Sequence, residues 1–129
     1  MGILVVEDDA STSRLMALLL QRQGYESGCV DSCAEAMIAM ETRPCCVLLD
    51  LTLSDGSGLP VLDRANEMGI PVAVVSGKHS EDLLDAVVLK VAAIFTKPVD
   101  LNGLASWLKH TCCAGGCDCG KSTRPPKHA

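Results

Sequence analysis

Short apolar runs alternate along the chain with longer stretches in which apolar residues recur every three or four positions. Four runs are almost entirely apolar, which is typical of strands covered on both faces of a parallel sheet, and a weaker run lies second in the chain. The predicted strands cover residues 3–6, 25–30, 45–49, 71–75 and 92–95. Helices are predicted over residues 11–23, 32–42 and 59–68 and from residues 80 and 100 onwards. Five consecutive β–α units indicate an α/β fold with helices on both faces of the sheet.

Residues with capping preferences mark the ends of several predicted helices. Gly24 follows the first helix, where a left-handed residue often ends a helix. Ser32 and Glu35 have the spacing of a capping box at the start of the second helix. Asp100 precedes the last helix as a predicted cap, and the Ser-Asp-Gly-Ser-Gly stretch over residues 54–58 predicts a loop.

Length and composition indicate one domain. The chain has 129 residues, of which 48% are hydrophobic and 2% aromatic, and its net charge is −5. Few aromatic rings and an acidic balance argue against base stacking and against contacts to nucleic-acid phosphates, so no direct nucleic-acid partner is expected. No stretch has the pattern of a signal peptide or a membrane span. We therefore expect a cytoplasmic protein without membrane insertion.

The composition changes after His110. Residues 1–110 are predicted to form the folded domain, and residues 111–129 a flexible tail rich in Cys, Gly, Pro and Lys. Zinc binding by the tail is an open alternative, although its cysteines lack the paired CxxC spacing of a zinc ribbon. These tail cysteines are Cys112, Cys113, Cys117 and Cys119.

The remaining cysteines and the histidines are expected to play no part in a metal site. Four cysteines lie in apolar or helix-like surroundings and are expected to be reduced and buried: Cys29, Cys33, Cys45 and Cys46. Three histidines show no ligand spacing and are expected to be exposed: His79, His110 and His128.

Polar residues follow several predicted strands directly, and in a doubly wound sheet the carboxyl ends of the strands carry the functional groups. Clustered carboxylates either take up protons or hold a cation, and hard oxygen ligands suit Mg²⁺. An aspartate in such a site can attack a phosphoryl group, whose charge a cation and a lysine would offset. The residues that follow the strands are Glu7, Asp8 and Asp9, then Asp50, Ser76 and Lys97.

The segments ILVVEDD, VLLDLTLSDGSGL, VAVVSG and FTKP, in this order, resemble the receiver domain of two-component response regulators. Each segment alone is a weak indication of the family, but the four in this order, each at the end of a predicted strand, are specific for it. The resemblance covers residues 2 to about 110. It implies the CheY-like, flavodoxin-like doubly wound (βα)5 fold, with a five-stranded parallel sheet in the order 2-1-3-4-5.

The resemblance also implies a role for each site residue. Asp50 corresponds to the phosphoacceptor, Ser76 to the switch hydroxyl and Lys97 to the lysine that contacts the phosphoryl group. The implied cofactor is Mg²⁺, held by Asp8 and Asp50 directly, by Glu7 through water and by the backbone carbonyl of Thr52.

The implied activity is that of a phosphoacceptor in a phosphorelay, which assists its own phosphorylation and dephosphorylation but is not otherwise an enzyme. A sensor histidine kinase or a histidine phosphotransfer protein would donate the phosphoryl group. The output would pass to a protein partner that binds near the helix beginning at Ser80, the last strand and the last helix. Too few residues follow residue 110 for a DNA-binding output domain, so the chain is expected to be a stand-alone receiver or a receiver excised from a larger protein.

One departure from the family pattern concerns the switch. Receivers commonly carry an aromatic residue three positions before the lysine, where this chain has Ile94. A branched aliphatic side chain has few rotamers, so the conformational change is expected mainly in the backbone of residues 76–80, where Gly77 gives freedom.

Two other functions stay open. An aspartyl-phosphate-forming hydrolase or phosphotransferase also uses an aspartate at a strand end, but usually carries a second acid where this chain has Thr52. A phosphorylation-independent interaction module would need only the fold. Each site residue also has an ordinary interpretation, for example an acidic cap of the first helix at residues 7–9.

Overall fold

A five-stranded parallel sheet forms the middle layer of the protein. The structure, a computed structural model, describes residues 2–53, 55–76, 91–97 and 99–112. The strands of the sheet are β1 (Ile3–Val6), β2 (Ser27–Val30), β3 (Cys46–Leu49), β6 (Val72–Ser76) and β7 (Ala93–Thr96). They have the order β2-β1-β3-β6-β7, and each neighbouring pair is parallel. Counted without the small hairpin described below, this is the order 2-1-3-4-5, which confirms the flavodoxin-like doubly wound fold.

Helices cover both faces of the sheet, because successive strand residues point to opposite faces and both sets are apolar. The helices are α1 (Ala10–Arg22), α2 (Cys33–Ala39), α3 (Leu59–Met68) and α4 (Leu101–Cys112). On one face of the sheet, Leu4 and Val6 of β1 pack with residues of α2 and α3. On the other face, Ile3 and Val5 pack with residues of α1 and α4.

Side-chain caps fix where three helices begin. The Asp9 carboxylate accepts a hydrogen bond from the backbone N–H of Thr12, so α1 starts at Ala10, one residue earlier than predicted. The Ser32 hydroxyl accepts from the Glu35 N–H at 3.2 Å, as the capping box predicted. Asp100 accepts from the N–H of Gly103 at 3.1 Å and caps α4. The last helix continues to Cys112, two residues beyond the domain end predicted from composition.

Two segments differ from the sequence prediction. The predicted loop over residues 54–58 overlaps a small hairpin, in which β4 (Thr52–Leu53) pairs antiparallel with β5 (Gly56–Ser57). The second helix ends at Ala39 and continues as a 3-10 turn over Met40–Thr42, because Arg43 takes a left-handed conformation before Pro44.

The expectation that four cysteines are buried is wrong for most of them. All four are reduced, but only Cys46 is buried, whereas Cys33 and Cys45 are half-buried. Cys29 is exposed because it lies on β2, an edge strand of the sheet. An edge strand has a neighbour on one side only, so its residues are covered less than those of β1 or β3.

Several predictions lie outside the described residues. They include the helix beginning at Ser80, the backbone of residues 77–80, two of the three histidines and the tail beyond Cys112. Of the histidines, His110 is exposed as expected, and its Nδ1 lies 2.8 Å from the carbonyl oxygen of Ser106.

Candidate functional site

The carboxyl ends of β1 and β3 bring three acidic side chains together. Both strands extend by one ladder bond, since the Glu7 N–H donates to the Val30 carbonyl at 3.0 Å and the Asp50 N–H to the Val6 carbonyl at 2.9 Å. These backbone bonds fix Glu7 and Asp50 at the same edge of the sheet. One carboxylate oxygen from each of Glu7, Asp8 and Asp50 lies within 4.8 Å of the others.

The side chain of Lys97 extends to this cluster from the end of β7, an edge strand of the sheet. It directly follows β7, and its Nζ lies 2.8 Å from Glu7 Oε1 and 3.1 Å from Asp50 Oδ2. Burial by itself lowers the pKa of Lys97, but the hydrogen bonds and charges of the two carboxylates outweigh it and raise the pKa above its ordinary value. The lysine is therefore an ammonium ion at neutral pH.

Glu7 is the most confined of the acidic residues. Its side chain is fully buried, Oε2 accepts from the Asp9 N–H at 3.1 Å, and apart from the Lys97 ammonium no hydrogen-bond donor among the described residues reaches Oε1. Burial raises the pKa of Glu7 from 4.5 to about 7, although the contact with Lys97 opposes the shift. Glu7 therefore lies in a place where an additional cation would favour its ionised form.

The charges and donor atoms of this cluster fit a divalent cation. Three carboxylates face one lysine when all are ionised, which leaves an excess of negative charge. The exposed side chain of Asp8 faces solvent beside the two buried acids, so a hydrated ion could enter. Oxygen ligands with open positions for water are the set that Mg²⁺ prefers.

The other two predicted site residues lie on the same edge of the fold. Thr52 stands two residues after Asp50 and begins the hairpin. The backbone of Ser76 ends β6 and is paired with Thr96, the residue before Lys97. The roles assigned to these residues stay predictions.

Gly58 packs directly against the backbone of Asp50. Its N–H donates to the Leu51 carbonyl at 2.8 Å. A Cβ at this position would lie 2.8 Å from the Asp50 carbonyl oxygen and 3.0 Å from Leu49 Cδ1. A side chain here would therefore push on the segment that carries Asp50.

Sequence reasoning assigned no contact to Asp55. Its two carboxylate oxygens accept hydrogen bonds from the N–H groups of Cys33 at 2.9 Å and Ala34 at 3.2 Å. These bonds lower the pKa of Asp55. The signals around Asp55 indicated only a turn, and no local pattern could have shown that it contacts a helix more than twenty residues away.

Comparison with known proteins decides the family. Residues 3–109 match the family model described as the response regulator receiver domain. The chain belongs to the response regulator receiver family. Receiver domains of this family take part in two-component signalling as phosphoacceptors, and they are generally signalling domains rather than catalytic ones. This assignment takes the place of the hydrolase interpretation.

Curated relatives are longer than this receiver. The DNA-binding response regulator MtrA of Mycolicibacterium paratuberculosis is 35% identical over 88 residues, which cover 66% of this chain and 38% of MtrA. The acid tolerance regulatory protein ActR of Rhizobium meliloti is 30% identical over 111 residues, covering 83% of this chain and 57% of ActR. Because the chain spans less than two thirds of these relatives, and MtrA is named for DNA binding, the expectation of no nucleic-acid partner lacks support for the whole protein.

Solved structures agree with the fold. A sensor protein from Polaromonas sp. JS666 is 30% identical with a TM-score of 0.74, covering 84% of this chain and 93% of that one. A CheY-like response regulator receiver domain protein from Methanospirillum hungatei JF-1 is 26% identical with a TM-score of 0.75, covering 84% of this chain and 90% of that one.

Within the described part of this receiver, no helix is long and apolar enough to span a membrane.

Proposed function

We propose that Asp50 is the phosphoacceptor of this receiver and that a sensor histidine kinase or a histidine phosphotransfer protein is the donor. The observation that carries the proposal is the position of the Asp50 carboxylate, with the Lys97 ammonium at 3.1 Å and the oxygens of Glu7 and Asp8 nearby. No other aspartate among the described residues has this combination of near-complete burial, lysine contact and acidic neighbours.

The transfer step forms one bond and breaks one. A carboxylate oxygen of Asp50 attacks the phosphorus of the phosphohistidine, and the P–N bond breaks. The imidazole nitrogen keeps the electron pair and takes up a proton from solvent, so the donor leaves as a neutral histidine. The product on this chain is an acyl phosphate, which water later hydrolyses to restore the carboxylate.

The acidic residues would hold Mg²⁺ during this reaction. Asp8, Asp50 and the backbone carbonyl of Thr52 would bind the ion directly, and Glu7 would bind it through water. When bound, the ion offsets the negative charge of the phosphoryl oxygens. Without it, the same excess of carboxylates repels an incoming phosphoryl group.

Lys97 and Ser76 complete the phosphoryl site in this proposal. Lys97 is held at the edge of the site by its two ion pairs, and its ammonium can shift from Asp50 to a phosphoryl oxygen once Asp50 is esterified. Ser76 would donate its hydroxyl to another phosphoryl oxygen. Since these residues assist both addition and loss of the group, the receiver promotes its own phosphorylation and dephosphorylation.

Output passes to a protein partner in this proposal. Its binding surface is formed by β7, α4 and the helix predicted from Ser80, and β7 connects this surface directly to Lys97. In the whole protein, an attached DNA-binding module like that named for MtrA is an alternative route of output. Signalling of this kind takes place in the cytoplasm, where the donor kinase presents its phosphohistidine.

Phosphorylation by a small donor tests the proposal. Purified protein is incubated with acetyl phosphate and Mg²⁺, and the label is located by mass spectrometry. We expect one acid-stable, base-labile acyl phosphate that Asp50→Asn abolishes. Asp31→Asn is the matched control, because Asp31 is an exposed acid near the same edge.

Two outcomes would contradict parts of the proposal. Label that survives in Asp50→Asn shows that Asp50 is not the acceptor. No label on the folded wild-type protein, with partner binding retained, supports the phosphorylation-independent module.

The metal assignment has its own test, which measures Mg²⁺ affinity. Asp8→Ala should weaken Mg²⁺ binding strongly, because a direct ligand is lost, and unchanged affinity there contradicts the metal assignment.

A further inference from the structure

Asp55 connects two segments that are far apart in sequence. It directly precedes β5 of the hairpin that follows Asp50, and its carboxylate accepts the N–H groups of the first two residues of α2. Both oxygens are used, so the contact fixes the orientation of the carboxylate as well as its distance. Ser32 caps the third N–H of the same helix, that of Glu35.

The hairpin transmits this contact to the site. Thr52 pairs with Ser57 and Leu53 with Gly56, so the segment carrying Asp55 is hydrogen-bonded to the segment carrying Thr52. At the base of the hairpin, Gly58 donates to the Leu51 carbonyl. The position of the Thr52 carbonyl therefore depends on where the tip of the hairpin is held.

We propose that Asp55 is a positioning residue that holds the hairpin following Asp50 against the start of α2, and thereby couples metal occupancy of the site to its own contact with the N–H groups of Cys33 and Ala34. The proposal rests on the assignment of the Thr52 carbonyl as a ligand. A carbonyl that is held in place loses less conformational freedom when an ion binds. Outer contacts of this kind orient metal ligands and are known to affect metal affinity.

Ser32 provides a matched control for the local effect of Asp55. Each residue caps the N-terminus of α2, so each substitution to Ala should destabilise that helix to a similar extent. Only Asp55 belongs to the loop that follows Asp50. A role confined to helix capping would therefore affect Asp55→Ala and Ser32→Ala alike.

The first experiment measures Mg²⁺ affinity by isothermal titration calorimetry on folded wild-type, Asp55→Ala, Asp55→Asn and Ser32→Ala protein. Asp55→Ala should bind Mg²⁺ about tenfold more weakly, at the low end for loss of an outer contact. Asp55→Asn, which loses the same charge but keeps one oxygen acceptor, should lose less. Ser32→Ala should bind like the wild type.

The proposal is overturned if Asp55→Ala binds within about twofold of the wild type, or if Ser32→Ala loses as much. Equal losses in Asp55→Ala and Asp55→Asn assign the effect to charge and also overturn it. These results are distinct from a failure of the proposed function, in which Asp8→Ala leaves the Mg²⁺ affinity unchanged.

A second readout uses the reciprocity of coupled equilibria. If Asp55 favours metal binding, metal binding must favour the Asp55 contact. Hydrogen exchange followed by NMR should therefore slow at the N–H groups of Cys33 and Ala34 when Mg²⁺ is added to the wild type. In Asp55→Ala these two groups should exchange equally fast with and without Mg²⁺, and unchanged exchange in the wild type contradicts the coupling.

Discussion

The buried carboxylate of Glu7 should lower the stability of the folded receiver when it is ionised. Its side chain is fully buried and its pKa lies at about 7, above the 4.5 of an exposed glutamate. The folded state therefore binds more protons than the unfolded state between these two values. Stability should fall as the pH rises through this window, and the full cost should be present above it.

Replacing Glu7 by Gln should remove this dependence. At about pH 8 in EDTA, Glu7→Gln should unfold with a free energy about 2 kcal/mol higher than the wild type, whereas at about pH 4 the two should be nearly equal. Urea denaturation measures both values. Glu67→Gln is the control, because Glu67 is exposed and pairs with Arg64 on the surface of α3, and a comparable gain there would show that the effect is not due to burial.

Gly58 sets a second constraint at the residue scale, and here it is steric. Gly58→Ala should cost about 1–3 kcal/mol, typical of an overpacked site, because the added Cβ meets the backbone carbonyl of Asp50. It should also slow phosphorylation by displacing Asp50. Urea denaturation and the acetyl phosphate assay test the two effects, and wild-type values in both would show that the loop adapts without cost.

Strand alternation separates two neighbouring residues of β7 into different environments. Ile94 pairs with Val74 and packs on the face covered by α2 and α3. Phe95 packs on the opposite face, edge-to-face with Trp107 of α4 at a centroid distance of 6.5 Å. The aromatic contact of β7 therefore lies one residue beyond the position where receivers commonly carry their aromatic residue.

This separation leads to a prediction for Ile94→Tyr. The new ring should change partner affinity more than the rate of phosphorylation, because position 94 lies on β7, which is part of the output surface proposed above. Trp107 fluorescence should stay unchanged, since Trp107 packs on the other face. Partner affinity is measured in a binding assay and the phosphorylation rate in the acetyl phosphate assay, both on the same variant. A larger effect on the phosphorylation rate than on the affinity would contradict the prediction.

At the scale of elements, the sequence was most informative where the signal was local. The helix Leu59–Met68 has the predicted bounds, since Gly58 and Gly69 enclose it, and the strand Ile3–Val6 likewise. The bounds of β6 and β7 each moved by one residue, because the ladder bonds between strands, rather than hydrophobicity, set their ends. The hairpin over residues 52–57 was missed, since turn residues predict a bend but not the pairing beside it.

The site followed the same rule. The carboxyl ends of parallel strands meet at one edge, so Glu7, Asp8, Asp50 and Lys97 could be predicted to converge from strand order alone. The sequence could not predict that Glu7 is buried or that Asp55 forms hydrogen bonds with the start of α2. Both features depend on tertiary packing between segments that are distant in sequence. The exposure of Cys29 was missed for a related reason, as composition does not show which strand lies at the edge.

At the scale of the whole molecule, metal binding and stability should be linked. Magnesium at about ten times its dissociation constant should stabilise the folded receiver by about 1.4 kcal/mol. Because the ion favours ionised Glu7, binding should release protons and the affinity should rise as the pH passes through about 7. Thermal unfolding with and without Mg²⁺ should therefore show a larger shift at about pH 8 than at about pH 6, and an equal shift at both would exclude Glu7 from the linkage.

The contact between Lys97 and Glu7 has a consequence for the protein during its synthesis. It joins the residue after the first strand to the residue after the last strand of the sheet. A nascent chain on the ribosome already carries its acidic cluster once β3 has emerged, but it gains the neutralising lysine only after β7. In the function proposed above, an unfinished receiver would therefore lack the lysine that contacts the phosphoryl group, and a kinase would load a signal well only onto a chain that already has the strand needed to pass it on.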